Sequence, residues 1–148
     1  MKWVAQMKQL RSLSLVETPV AAVGLQALAG CVRLSQLTLR SSLIQDTDIK
    51  SLQGLKVQLL ELDCPRVTED GLSVLSSLPR LESVSLGNHM SIGPHVVLQL
   101  GAIRTLTSAH LFFNSLTPDI VQALKALEQQ GMNLYVRTIE ADRQRRHA

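Results

Sequence analysis

The chain has 148 residues, of which 45% are hydrophobic and 18% are charged, and its formal net charge is +3. These fractions exclude an intrinsically disordered protein, and because no apolar run approaches the roughly 18 residues of a spanning helix, no membrane span is predicted. Leucine is the most abundant residue type whereas Phe, Trp and Tyr together make up only 3%, so any core must be aliphatic. Two cysteines are too few for a disulfide framework, which indicates an intracellular, cytoplasmic location. A mitochondrial location is the alternative, because residues 1–16 contain basic residues and no acidic ones.

In chain order, the first predicted element is a helical half repeat over residues 1–9, with Trp3, Val4 and Met7 on one face. This segment either caps the elements that follow or leaves an open end that docks on another protein or on further chain. A pair of apolar residues separated by one residue then recurs along the chain at a nearly constant interval of about 24 residues. The pairs begin at Leu13, Leu37, Leu60, Val84, Ala109 and Leu134. The period of two within each pair predicts six short strands.

Between these strands the apolar residues follow helical spacing, which predicts a helix after each of the first five strands. Helix-start residues precede several of them, as at Thr68 and Thr117. The residues predicted to face inward from the helices are Val20, Val23, Leu25, Leu28, Ile49, Leu52, Leu55, Val67, Leu72, Leu75, Leu78, Val96, Leu98, Leu100, Ile103, Ile120, Leu124 and Leu127. A unit of about 24 residues cannot bury its own apolar face, so the units must stack on one another.

This pattern resembles that of leucine-rich-repeat proteins over residues 7–136. Residues 67–72, together with the leucine and valine positions that follow up to Leu86, are similar to the ribonuclease-inhibitor-like and cysteine-containing (F-box-associated) subtypes. The resemblance implies an α/β fold, a right-handed leucine-rich-repeat solenoid of about five to six repeats, with a short parallel β-sheet on the concave face and α-helices on the convex face. The implied single domain covers residues 1–148: a half repeat or cap at 1–9, repeats at 10–136 and a basic tail at 137–148. We expect no F-box-like segment ahead of the repeats, since residues 1–9 are predicted to form only a half repeat or cap.

The same resemblance implies a Cys or Asn just after each strand, which hydrogen-bonds a buried turn of the backbone. Cys64, Asn88 and Asn114 lie near that position, and Thr18 and Ser42 are weaker substitutes.

The residues that alternate with the buried leucines form rows across the predicted sheet, because adjacent strands are about 4.8 Å apart. The C-terminal corner of this surface gathers His110, Phe112, Tyr135 and Arg137. Tyr and Arg are common among residues that dominate binding energy, so this corner is a candidate partner-binding site. The alternative is that its aromatic side chains cover the last repeat, which has no neighbour.

A second candidate for partner binding is the charged group Arg40, Glu61 and Asp63. The alternative for this group is a solvated ion pair, worth less than about 1 kcal/mol.

No catalytic, cofactor-binding or metal-binding residues are predicted. Glu61, Ser85 and His110 occupy one row in that order, so the serine lies in the middle. A nucleophilic triad needs the imidazole between the hydroxyl and the carboxylate. Cys31 and Cys64 lack the close spacing of zinc ligands and are predicted to be buried. The chain is therefore predicted to be a non-enzymatic protein-recognition module or scaffold, either a monomer or a subunit of a hetero-complex.

Two other functions stay open. The first is a nucleic-acid-associated subunit, for example of a ribonucleoprotein, that binds through the basic tail at Arg143, Arg145 and Arg146. The rest of the chain carries nearly balanced charge, so no nucleic-acid-binding face is predicted there. The second, which follows from the resemblance alone, is the substrate-recognition part of a ubiquitin-ligase-type adaptor.

Overall fold

A computed structural model describes residues 4–20, 22–87 and 89–139, and it contains a six-stranded sheet in which every neighbouring pair is parallel. The strands lie side by side in chain order. They are β1 (Ser12–Val16), β2 (Gln36–Arg40), β3 (Leu59–Asp63), β4 (Ser83–Leu86), β5 (Ser108–Phe113) and β6 (Asn133–Thr138). The alternation of strands and helices makes this an α/β fold, as predicted.

Helices connect consecutive strands, and the last two are the longest. They are α1 (Ala22–Gln26), α2 (Asp46–Lys50), α3 (Glu69–Leu72), α4 (Pro94–Gly101) and α5 (Pro118–Gln129), with short 3-10 helices at Val4–Gln6, Ala27–Gly30 and Ser73–Ser77. The start of α5 shows why it is well formed: Pro118 occupies its first turn, and the Thr117 hydroxyl accepts a hydrogen bond from the Ile120 amide at 3.3 Å. Within the described residues, no helix is long and apolar enough to cross a membrane.

The strand register agrees with the predicted spacing of the apolar pairs. Leu37, Leu60, Val84 and Ala109 are mutually aligned and fully buried. Leu13 and Leu134, in the outermost strands β1 and β6, are only half-buried. Since side chains alternate across a strand, the aligned pairs form one apolar face, and the helices pack on it. The other face of the sheet, here called the open face, carries the alternating polar side chains.

Two residues predicted to face inward from the helices are instead exposed. Val23 is 75% exposed and Leu98 is 55% exposed, whereas Leu25 and Leu100 are buried. Each exposed residue precedes a buried one by two positions, and residues two apart on a helix point to different sides. The predicted spacing therefore located these helices correctly and assigned one residue too many to the inner face of α1 and of α4.

The buried turn positions after the strands also differ from the prediction by one residue. Cys64 is buried and its thiol donates to the Leu39 carbonyl oxygen at 3.5 Å, but Ser42 and Asn114 are exposed. Ser41, the residue after β2, and Phe113, the last residue of β5, are buried instead. Because Arg40 pairs with Asp63, the residue aligned with Cys64 is Ser41 and not Ser42. Asn88 lies outside the described residues.

Both predicted ends of the repeat region are modified by the structure. Arg137 and Thr138 belong to β6, where they pair with Phe112 and Phe113, so the strand extends into the predicted tail. At the other end Val4 is buried and its carbonyl oxygen accepts a hydrogen bond from the Cys31 thiol at 3.1 Å, while Met7 is exposed. Trp3 and the tail arginines Arg143, Arg145 and Arg146 lie outside the described residues.

Candidate functional site

The open face brings the predicted binding residues into rows, as expected from the spacing. One row is Ser14, Thr38, Glu61, Ser85, His110 and Tyr135, which are aligned partners in successive strands. Strand pairing also aligns Arg40 with Asp63 and Phe112 with Arg137 one step further along. All seven candidate residues therefore lie on one face of the sheet.

The C-terminal corner of this face is a stacked group of three side chains. The rings of His110 and Tyr135 have centroids 5.3 Å apart and are tilted by 36°. The guanidinium carbon of Arg137 lies 5.3 Å from the centre of the Tyr135 ring, and its Nε donates to the Tyr135 hydroxyl at 3.1 Å. Tyr135 is 46% exposed, so the group is ordered by its own contacts while one side is open to solvent.

Charged pairs occupy the other side of the open face. The Arg40 guanidinium forms an ion pair with Glu61, donating from Nε to Oε1 at 3.0 Å, and this hydrogen bond with Glu61 raises the pKa of Arg40 above its ordinary value. Asp63 accepts a hydrogen bond from the His89 amide at 3.2 Å, and its Oδ2 lies 2.9 Å from His89 Nδ1. The predicted alternative for Arg40 and Glu61, an exposed ion pair, matches this geometry.

Gly87 separates these charged pairs from the stacked aromatic corner. A Cβ atom at position 87 would lie 2.6 Å from the Cβ of Asp63, so any side chain larger than hydrogen would force Asp63 to shift. The missing side chain leaves a depression across the open face. This groove has a volume of about 300 Å³, and it is lined by Arg40, Glu61, Asp63, Ser85, Gly87, Phe112, Arg137, Thr138 and Ile139.

The groove unites two clusters that the sequence treated as separate. Phe112 is half-buried in its wall, while His110 and Tyr135 stand beside it. Within the described part of the chain, Arg137 has no carboxylate partner within 4.0 Å, whereas Arg40 is paired with Glu61. The groove therefore offers the aromatic ring of Phe112, the carboxylates of Glu61 and Asp63, and the guanidinium of Arg137, which has no acidic partner among the described residues. Such a surface is suited to binding a polar segment.

Both cysteine thiols are buried, and each donates a hydrogen bond to a backbone carbonyl oxygen. Burial raises the pKa of both thiols above the ordinary value, so they are protonated at neutral pH. Among residues 4–20, 22–87 and 89–139, no three His, Cys, Asp or Glu side chains form a group that could hold a metal ion.

Sequence reasoning missed the separation of charge between the two edges of the sheet. At the carboxyl edge, where strands end and helices begin, acidic side chains such as Asp46, Asp63 and Asp70 are bonded within the chain. At the opposite edge, where strands begin, lie the exposed basic residues Arg11, Arg33, Lys56, Arg80 and Arg104, which we call the basic edge. The signal was present, because the last four recur at intervals of about 24 residues, the length of the repeat.

Comparisons with protein-family profiles and with curated proteins found no match to this chain.

Proposed function

We propose that this chain is a right-handed leucine-rich-repeat solenoid that acts as a non-catalytic protein-recognition module, alone or as a subunit of a larger assembly. The repeat of about 24 residues and its confirmed strand register support the repeat architecture. In this proposal the open face is the concave surface and the groove around Gly87 is the centre of the binding site.

One observation carries the proposal: residues of both candidate clusters line a single groove whose walls are held by internal contacts, and Tyr135 lies beside it, bonded to Arg137. Arg40 is held by Glu61, Asp63 by His89, and Arg137 by Tyr135. Side chains that are ordered before binding lose little conformational entropy when a partner arrives. The exposed Tyr135 ring and Arg137 guanidinium are also of the kinds that dominate interface energies.

The test is affinity purification of the tagged chain from its native source, followed by mass spectrometry, with the wild type and two double variants in parallel. Tyr135→Ala combined with Arg137→Ala removes the stacked corner. We expect it to weaken capture of a specific partner by at least about tenfold, because anchor residues of this type contribute roughly 2 kcal/mol. Arg66→Ala combined with Lys125→Ala is the control, since both side chains are exposed and neither lines the groove.

The binding itself is then measured with the captured protein. We expect the affinity for the wild type to fall only modestly with salt, since the contacts centre on an aromatic corner and not on a row of charges. Equal capture by the Tyr135 and Arg137 variant and by the wild type would contradict the proposed site. A wild-type chain that captures nothing specific would contradict the recognition function.

A further inference from the structure

The basic edge forms a second surface, separate from the groove on the open face. Arg33, Lys56 and Arg80 each precede a strand by three residues, and the aligned first residues of those strands place them at equivalent positions. Arg11 lies beside them, and together they line a depression with a volume of about 340 Å³. Arg104 lies beyond Arg80, four residues before β5 and so one position away from the equivalent place in the row.

Acidic side chains are scarce along this row. Glu82 is close to it, where its carboxylate accepts a hydrogen bond from the Gln58 side chain at 3.0 Å, and Glu128 lies in the last turn of α5, at the far end. None of the five basic side chains is within 4.0 Å of a carboxylate of the described residues. Their positive potential is therefore not cancelled by local ion pairs and is available to an outside partner.

An apolar cleft opens directly beside the basic edge. Its volume is about 130 Å³, and its lining combines the polar residues Ser51, Gln53 and Lys56 with a larger set of apolar ones, Leu25, Ala29, Val32, Leu52 and Leu55. Val32 is 69% exposed, and both Val32 and Lys56 line the cleft as well as the basic depression, so the two are continuous. A cavity of roughly 150 Å³ accommodates a benzene-sized group, so this cleft fits one aliphatic side chain.

This combination selects the kind of partner. Nucleic acid has phosphates but no aliphatic side chain to fill the cleft, and single strands are bound with aromatic residues that stack on bases. No aromatic residue of the described ranges lines the cleft or the depression. A protein segment can supply both carboxylates and an aliphatic anchor. The observations therefore favour an acidic protein segment over a nucleic acid.

The spacing of the row further indicates the conformation of that segment. From Arg33 to Arg104 the row crosses four strands, which spans about 14 Å at roughly 4.8 Å per strand. Three turns of an α-helix rise about 16 Å, so carboxylates on one helical face recur at nearly the same interval. The difference of about 2 Å is within the reach of Arg and Lys side chains.

We propose that the basic edge and the adjoining cleft bind an acidic amphipathic helix of a protein partner, whose aliphatic anchor enters the cleft and whose carboxylates face the row. This surface is distinct from the groove of the proposed recognition site. Binding at this surface and binding at the groove are therefore tested independently of each other.

The probe is a fluorescent synthetic helix of about 18 residues, which is five turns, with Glu along one face and a central Leu. Binding is measured by anisotropy on a chain in which Arg143, Arg145 and Arg146 are changed to Gln, so that the tail arginines cannot hold the probe. Lys56→Glu combined with Arg80→Glu is expected to weaken binding at least about tenfold, since two attractions become repulsions. Changing the probe Leu to Gln should also weaken binding about tenfold, because the cleft then stays unfilled.

The matched control is Arg66→Glu combined with Lys125→Glu, which changes the net charge equally at exposed positions elsewhere and should alter affinity less than about twofold. Thermal unfolding of every variant checks that the fold is retained, and the Leu-to-Gln probe tests the cleft without altering the protein. Absence of probe binding, equal loss in the control variant, or equal binding of the Leu and Gln probes would overturn the proposal. Tighter binding of an oligouridylate with the same charge as the probe would overturn it in favour of nucleic acid.

Discussion

Several acidic side chains at the carboxyl edge of the sheet, such as Asp46, Asp63 and Asp70, bond to their own chain, whereas the basic side chains at the opposite edge have no acidic partner among the described residues. Asp46 accepts hydrogen bonds from both the amide and the hydroxyl of Thr68, at 2.7 Å each, and Asp70 pairs with Lys50 at 2.5 Å. At the basic edge, Arg33, Lys56 and Arg80 form no comparable pair within the described chain. One edge therefore uses its charges for folding, and the other leaves them available for binding.

Helix starts explain why the acidic side chains are tied down at the carboxyl edge. The first amides of a helix lack partners within the helix and attract negative charge. Asp48 forms a capping box at the start of α2, where its carboxylate accepts a hydrogen bond from the Gln45 amide at 2.9 Å. Helix ends and strand starts meet at the opposite edge, and positive charge there favours the helix carbonyl groups without requiring specific contacts.

The largest effect is predicted for a substitution at the carboxyl edge. Asp46→Ala removes both acceptors of Thr68 and with them one of the links between the starts of α2 and α3. We expect it to lower the free energy of unfolding by about 2 kcal/mol, which corresponds to a decrease in Tm of roughly 4–8 °C. Thermal and urea unfolding measure this.

Asp119→Ala is the control for that prediction, because Asp119 is exposed near the start of α5 and no hydrogen bond of its side chain is present among the described residues. It should cost less than about 1 kcal/mol. A similar loss in the two variants would mean that the carboxyl edge owes its stability to helix dipoles and not to the Asp46–Thr68 contact.

A smaller effect is expected where the carboxyl edge meets the groove. Gly87→Ala brings a Cβ against the Cβ of Asp63 and forces Asp63 away from His89. The expected cost is about 1–2 kcal/mol of unfolding free energy, typical of overpacking, and it is measured by urea unfolding. Ser85→Ala, in the adjacent row and without the collision, should change stability by less than about 0.5 kcal/mol. Equal stability of Gly87→Ala and the wild type would show that Asp63 is free to move.

The smallest effect is predicted for the basic edge. Lys56→Glu combined with Arg80→Glu should change the unfolding free energy by less than about 0.5 kcal/mol per substitution, because both side chains are exposed and unpaired within the described chain. Relief of repulsion along the row and loss of favourable charge near helix ends oppose each other. Urea unfolding at low and high salt checks this, with Arg66→Glu and Lys125→Glu as the control. A loss well above about 1 kcal/mol would give the row a structural role and remove the contrast between the edges.

Most of the fold could be predicted from the spacing of apolar residues. Leu37, Leu60 and Val84 were assigned to aligned inward positions because a period of two within a period of about 24 leaves one consistent register. The prediction failed where nearby positions were equally apolar, as at Val23 and Leu98. It also failed where two adjacent residues were identical, since Ser41 and not Ser42 is the buried serine. Apolar spacing identifies a helix, but it does not decide which of two neighbouring apolar residues it buries.

The candidate site was predictable only in part. The row that contains Glu61, His110 and Tyr135 follows from strand alternation, so their place on one face could be read from the sequence. The groove did not follow, because it depends on Gly87 leaving space between Asp63 and Phe112, which belong to different strands. The contact between Asp63 and His89 was likewise invisible, since the two residues are far apart in the chain and the contact needs a particular turn after β4.

The amino-acid sequence alone was sufficient to establish the repeat length, the number of strands, their register and the aliphatic nature of the core. Those properties depend on periodic burial of apolar side chains, and the spacing of apolar residues along the chain determines that periodicity. Which charges are bonded, which stay available, and where an apolar cleft meets a basic row became known from the folded arrangement. Electrostatic partners and cavities depend on short distances between side chains from different strands and helices, and the packing of those elements sets the distances.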